Sequence, residues 1–353
     1  MLSKAELFSF LETREIKFKE EFFQTNILVL EFEKEIEINI QNFGGLLKLG
    51  KISFEGSYEQ LEKFLEKNEF IERDKFTYSI LGDGEEGIFI QKFKDEKKRG
   101  IIRHGKKSMK TEEGELIPLP NAEVEIFFQE NNKKIYLGVV EEDYSYKDIK
   151  KRDMDKPVRR QALAISPRLA KILINLSQAK SQELLLDPFC GVGGILQEAL
   201  IQNIKVYGTD IDKLAIENCR RNLKWLEEQY KLKLSYQIFN LDAKKIPNQQ
   251  FNAIATEPSL GELVKEKLPE NEAKKFIERF ENLIIPILQR IKQVKKPDAK
   301  IAITFPIIKN ISPNLQLICQ KTGLKISKLP GINFPIKESR EDQFVSREII
   351  VFE

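Results

Sequence analysis

The chain has 353 residues, of which 41% are hydrophobic and 32% charged, and a net charge of +3; this is a globular composition and excludes a disordered or fibrous chain. That length has room for about two to three domains, at least one with a substantial core, and so small a net charge means that any nucleic acid must be met by local patches. The three cysteines, Cys190, Cys219 and Cys319, are too few and too scattered for a disulfide framework or a zinc site, which fits a reducing cytoplasm.

In chain order, MLSKAELFSFLETREIKFKE carries charge from its first few residues and lacks the apolar core of a signal peptide. No run approaches the apolar length of a membrane span, so a soluble protein is expected. Up to residue 145 or so the pattern reads as α+β. Candidate strands are 26-NILVLEF, 46-LLKLGKIS, 75-KFTYSIL and 123-EVEIFF, with a helix at 58-YEQLEKFLEKN. The stretch 91-QKFKDEKKRGIIRHGKKSMK has nine Lys or Arg against two acids. Backbone phosphates attract such a cluster without sequence being read, which makes Lys97, Lys98, Arg99, Arg103, Lys106 and Lys107 candidate RNA contacts. Taken alone, the run equally describes a solvated helix face. The polar passage 141-EEDYSYKDIKKRDMDKPVRR then reads as a linker.

Beyond it, β-rich runs (183-ELLLD, 205-KVYGTD, 234-LSYQIFNLD, 251-FNAIATE, 299-AKIAITFP, 346-SREIIVFE) alternate with helical segments such as 212-DKLAIENCRRNLKWLEEQY and the run from Asn271 to Val294. Strand then helix, repeated, predicts a parallel sheet covered by helices on both faces. Ligands of such a sheet bind beyond the carboxyl ends of the strands, where Asp187, Asp210, Asp242 and Glu257 fall. In 187-DPFCGVGGILQEAL a strand delivers Asp187, glycines make a turn, and a helix begins. Those glycines let the backbone approach a ligand, and the helix N-terminus presents unpaired N–H groups. A dinucleotide fingerprint would place glycine where Leu196 stands, so the spacing counts against NAD. Asp210 is placed to accept from ribose hydroxyls and Asp242 to reach an adenine amine. Together these acids describe a nucleoside pocket without pyrophosphate, which S-adenosylmethionine fits.

The segments 187-DPFCGVGG, 207-YGTDID and 251-FNAIATEPSLG, in this order, resemble the motifs of class I S-adenosylmethionine methyltransferases. The upstream 166-SPRLAKILINLS resembles a Pro-Lys-Leu-Ala segment of one subgroup, the THUMP-containing tRNA guanine-N2 methyltransferases, which modify position ten of tRNA. The resemblance covers residues 160 to 353 and is looser before them, where 43-FGGLLKLGKI is similar to a Gly-Gly-x-x-Lys-x-Gly segment of that subgroup's ferredoxin-like piece.

This resemblance implies a Rossmann-like α/β domain over residues 166–353 with a mostly parallel seven-stranded sheet. Ahead of it would stand an α+β region, ferredoxin-like over 1–55 and THUMP-like over 56–145, and a linker over 146–165. It implies that Asp187, Cys190, Gly191, Gly193, Asp210, Ile211, Asp242 and Ala243 line the cofactor. Glu257 and the carbonyl of Pro258 would accept from the amine to be methylated, with Leu260 beside the base. The family has Asp-Pro-Pro-Tyr where this chain has Glu-Pro-Ser-Leu. A stacked ring is worth roughly 1–3 kcal/mol per base, and Phe189 or Phe305 is a candidate replacement.

A guanine amine is a poor nucleophile because its lone pair is delocalised into the ring. Acceptors for both its hydrogens orient that lone pair and stabilise the positive charge that develops. The expected reaction is direct methyl transfer without a metal, on a monomer that grips tRNA with its N-terminal half. Alternatives are an amine methyltransferase acting on ribosomal RNA or DNA, or an RNA-binding relative that has lost the chemistry. Among other conspicuous residues, His104 reads as a surface contact, Trp225 and Leu226 as helix packing, and Cys190 as a pocket wall rather than a nucleophile.

Overall fold

The computed structural model describes residues 1–24, 26–69, 71–104, 108–110, 116–118, 122–159, 165–258, 268–338 and 345–353. Helix α1 (Leu2–Thr13) is followed by strands β1 (Phe18–Gln24) and β2 (Ile27–Phe32), which form a two-stranded sheet. Glu6 of α1 is fully buried and accepts from the backbone N–H groups of Gly44 (2.8 Å) and Gly45 (2.7 Å) and from Asn175 Nδ2 (2.8 Å). Burial raises its carboxyl above the ordinary range although all three donors oppose that. A Cβ at Gly44 would run into the Arg168 carbonyl, so 43-FGG is a close-packing device between two backbones.

Met1–Lys19 and Glu31–Gly45 therefore cluster with Tyr146–Glu353, and Glu20–Leu30 with Leu46–Ser145 forms a second unit. The expected boundary at residue 55 differs from this division, because the Glu6 clamp ties the early segments to residues 168–175.

The second unit contains β3 (Lys48–Gly56), α2 (Tyr58–Lys67), β4 (Lys75–Gly82), α3 (Glu86–Asp95), β5 (Arg99–Ile102), β6 (Ser108–Lys110), β7 (Leu116–Pro118), β8 (Val124–Asn131) and β9 (Lys134–Asp143). Its five-stranded sheet runs β3-β9-β8-β4-β5, parallel at β8-β4 and β4-β5 and antiparallel elsewhere. Ser57 and Gln60 form a capping box that starts α2. Leu61 and Leu65 of that helix bury against Phe76, Tyr78, Phe89, Phe93 and Phe128, whose edge-to-face contacts hold the unit's core.

The passage expected as a linker is instead helix α4 (Tyr146–Met154), with Tyr146, Ile149 and Arg152 buried. Arg152 Nε lies 2.7 Å from Glu198 Oε1, with both side chains nearly inaccessible. Burial by itself would lower this guanidinium, and Glu198 more than reverses that, raising it.

Helix α5 (Pro167–Leu176), capped by Ser166, precedes a regular alternation: β10 (Leu184–Asp187), α6 (Gly194–Ile201), β11 (Lys205–Asp210), α7 (Lys213–Tyr230), β12 (Tyr236–Asn240), β13 (Ala253–Thr256), α8 (Glu270–Val294), β14 (Ile301–Ile308), α9 (Leu315–Thr322), β15 (Ile336–Glu338) and β16 (Val345–Phe352). These form the mostly parallel seven-stranded sheet β12-β11-β10-β13-β14-β16-β15, in which β16 runs antiparallel to both neighbours. Every residue of β13 and β14 is buried, as expected of strands covered on both faces. The chain winds outward from β10 to β12 and then returns to β13, so the switch in strand order lies between β10 and β13. Among the described residues no helix is long and apolar enough to cross a membrane.

Candidate active site at the carboxyl ends of the strands

Asp210, Asp187 and Glu257 end or follow the adjacent parallel strands β11, β10 and β13, and Asp242 follows β12 at the edge. The sheet thus gathers the four predicted acids along one edge, at the switch point where open α/β sheets bind ligands. Asp187 is 1% exposed. Its Oδ1 accepts from Thr256 Oγ1 at 2.6 Å and from the Phe189 N–H at 3.1 Å. Burial pushes its carboxyl up to about 7; the two donors oppose that, and the charges of Asp210 and Glu257 add to it. Asp187 therefore lies close enough to feel the charges of both Asp210 and Glu257.

The turn after β10 fits a ligand's approach. Gly191 (φ +50°) and Gly193 (φ +89°) lie in the left-handed region, and a Cβ added at Gly191 would meet nothing within 4 Å. Asp210 is half-buried and bridges two turns, accepting from the Gly191 N–H at 2.9 Å and the Asp212 N–H at 2.8 Å. Asp242, also half-buried, accepts from the Lys244 N–H at 2.9 Å and caps the short 3-10 turn Ala243–Lys245. Ala243 is buried beneath that turn, and Ile211 is 77% exposed beside Asp210, an apolar surface at the place expected for the cofactor. Cys190 is buried, and its thiol is held well above the ordinary range by a hydrogen bond with Cys219 and by burial. A sulfur partner distant in sequence thus stands beside it, and a buried thiol displaced upward is a poor nucleophile.

Glu257 follows β13 and Pro258 is buried. Glu257 Oε1 lies 2.7 Å from Arg347 Nε of β16 and 3.5 Å from Thr304 Oγ1 of β14. The arginine contact is an ion pair rather than an aligned hydrogen bond. Phe305 does not replace the missing motif aromatic: it is fully buried between Phe280 and Phe352. Phe189 is half-buried against the same core. Leu260 lies outside the described residues, as do Lys106 and Lys107.

Of the remaining basic residues, Lys97, Arg99 and Arg103 are exposed, with Lys97 in the left-handed region (φ +57°). Lys98 differs from the expectation. Its side chain is 4% exposed and its ammonium pairs with Glu69 and the Ile71 carbonyl, so it serves the fold. His104 is exposed, with Nδ1 3.1 Å from Glu86, in line with its reading as a surface contact.

Sequence reasoning missed Thr256, Asn222, Asn240 and Arg347. Asn222 of α7 is fully buried and donates to the Val192 carbonyl at 3.0 Å, steadying the glycine turn from behind. Asn240 donates to the carbonyls of Asp210 (3.0 Å) and Ile211 (2.8 Å), locking the ends of β11 and β12 together. Asn240 stands two residues before Asp242 and Thr256 next to Glu257, so strand-end polarity was a usable signal for both. Nothing local marks Arg347.

The architecture has solved and curated counterparts. Residues 156–290 match the family model described as RMKL-like, methyltransferase domain. The tRNA (guanine(10)-N2)-dimethyltransferase of Pyrococcus abyssi is 35% identical over 133 residues, 36% of this chain and 38% of that protein. The protein of the same name from Methanothermobacter thermautotrophicus is 37% identical over 99 residues, 28% of each chain. The matches thus span 38% and 28% of these relatives' own lengths. TrmN from Thermus thermophilus superposes with a TM-score of 0.56 at 14% identity, covering 100% of this chain and 96% of that one, a likeness of fold.

Proposed function

From a chain whose residues 156–290 carry an RMKL-like methyltransferase domain, we propose an S-adenosylmethionine-dependent RNA methyltransferase that acts on the exocyclic N2 amine of a guanosine in tRNA. The observation that carries this reading is Glu257 at the end of β13, next to the strand that ends in Asp187 and in charge contact with it. The names of the Pyrococcus and Methanothermobacter relatives supply the substrate class.

S-adenosylmethionine, when bound, supplies an electrophilic methyl group. Gly191 and Gly193 would admit it to the backbone, Asp210 would hold its ribose, and Asp242, Ala243 and Ile211 its base. Glu257 and the Pro258 carbonyl would accept hydrogen bonds from the two amine hydrogens, and the one proton that nitrogen loses once the N–C bond has formed would leave through the Glu257 carboxylate. The two acceptors turn the lone pair outward and face the positive charge that grows on nitrogen, an electrostatic role that needs no covalent bond to the protein.

A THUMP-like module over residues 56–145 would grip tRNA through phosphates, with Lys97, Arg99 and Arg103 among its contacts, behind a ferredoxin-like lead over residues 1–55. We place the protein in the cytoplasm as a monomer, on the ground that tRNA is modified there. A tRNA transcript carrying inosine in place of guanosine at position ten lacks the 2-amino group and should accept no methyl group, whereas the unmodified transcript should accept it. Equal labelling of both would overturn position ten as the target, and label recovered in any nucleoside other than N2-methylguanosine would overturn the reading.

A further inference from the structure

Arg347 is a cation set into the acidic end of the sheet by an element remote in sequence. On β16 it stands opposite Pro306 of β14 on one side and Glu338 of β15 on the other. Its Nε lies 2.7 Å from Glu257 Oε1 and its Nη1 3.4 Å from Glu338 Oε2, and its side chain is 12% exposed against 10% for Glu257 and 20% for Glu338. Such a pair is shielded from solvent screening, unlike an exposed surface bridge. The three-residue edge strand β15 thereby backs the guanidinium with a second carboxylate.

We propose that Arg347 is a positioning residue for amine methylation, fixing the Glu257 carboxylate at the end of β13 and keeping it charged among the neighbouring acids. The inference rests on the reading of this site as an amine methyltransferase. Charged groups around Glu257 include Asp187 of β10, with Asp210 of β11 behind it, and Arg347 of β16, with Glu338 of β15 behind that. Thr304 of β14 adds a neutral hydroxyl. Asp187 is displaced upward first by burial, and the Glu257 charge adds to that displacement; like charges disfavour each other's ionisation. A protonated Glu257 would have to donate where the amine requires an acceptor. An opposite charge within contact distance favours the ionised carboxylate, and Arg347 supplies it. Glu is also one methylene longer than the Asp of the related motif, so its carboxylate has an extra torsion to fix, and an anchored cation restricts it.

The test is the pH dependence of methyl transfer to a tRNA transcript for wild type, Arg347→Met and Arg347→Lys, with cofactor affinity measured by calorimetry on each. Arg347→Met should lose kcat chiefly at low pH, its acidic limb moving up by about one pH unit or more, while KM for tRNA and cofactor affinity stay within about twofold, well inside the tenfold step that 1.4 kcal/mol represents. Arg347→Lys should keep the limb in place at a reduced kcat. In the cofactor-free protein, the carboxyl carbon-13 resonance assigned through Glu257→Gln should titrate at higher pH in Arg347→Met than in wild type. A uniform loss at every pH, coincident carboxyl titrations, or a lysine variant that behaves like the methionine one would overturn the proposal. Wild-type protein that transfers no methyl group at any pH would overturn the underlying reading and the inference with it, a result seen before any variant is compared.

Discussion

At the scale of the residue, the site is a balance of charges at strand ends. Asp187 carries the largest consequence because it is fully buried and its carboxyl is pushed up to about 7 from an ordinary 3.8, by burial first. In the folded state it holds its proton to about pH 7, whereas in the unfolded chain it ionises near pH 4. Its contribution therefore leaves stability undiminished below about pH 4 and costs stability progressively from there to about pH 7. Glu6 and Glu348 are displaced in the same direction, so the effect must be read as a difference. Asp187→Asn keeps acceptors for Thr256 and Phe189 but cannot ionise. It should gain stability over wild type between pH 5 and pH 8, by an amount on the order of a few kcal/mol. Parallel wild-type and variant curves of unfolding free energy against pH would contradict this.

At the scale of the element, packing corrects what the sequence pattern suggests. Helix α4 looks like a polar spacer because its charged residues dominate, yet Arg152 is buried against Glu198, with Lys171 3.8 Å from the same carboxylate. Burial and the neighbouring Arg152 push Lys171 down to about 8 although Glu198 pulls the other way. Arg152→Ala leaves Glu198 buried without its main partner and should cost about 3–5 kcal/mol in denaturant unfolding; a cost below about 1 kcal/mol would restore the spacer reading.

The βα alternation was legible because β10, β11 and β13 are short, largely apolar runs closed by a polar residue, and β11 coincides with its predicted span. Strand β9 was missed because its hairpin turns on Asn132 and Lys133, both at positive φ, and lysine is no usual turn marker. Strand β15 is three residues long, too short for any periodicity. The acids were legible as strand endings. Arg347 was not, because its partnership with Glu257 depends on β16 folding back between β14 and β15, a choice of topology that leaves no local trace.

At the scale of the whole molecule, the proposed RNA substrate requires a chain with a net charge of only +3 to concentrate its attraction in local patches. The exposed Lys97, Arg99 and Arg103 on and beside β5 offer one concentration, and Lys98, committed to Glu69, separates function from fold within the same run. Replacing Lys97, Arg99 and Arg103 together by glutamate should weaken tRNA binding. It should also flatten the dependence of log affinity on log salt by ~0.7–0.9 for each phosphate that is no longer neutralised, with cofactor affinity unaltered. An unchanged salt slope would move the RNA-binding surface elsewhere. Lys98→Met should instead lower stability without changing that slope.

The proposed reaction hangs on Glu257, at the end of β13, accepting from an amine. The direct measurement is transfer of labelled methyl from S-adenosylmethionine to unmodified tRNA by wild type and by Glu257→Ala, followed by digestion to nucleosides. The account predicts labelled N2-methylguanosine from the wild type, and a rate lower by roughly 10²–10³-fold in the variant, the usual loss for one preorganised electrostatic partner, with cofactor binding retained. Label on adenosine or cytidine, or equal rates from the two proteins, would contradict it.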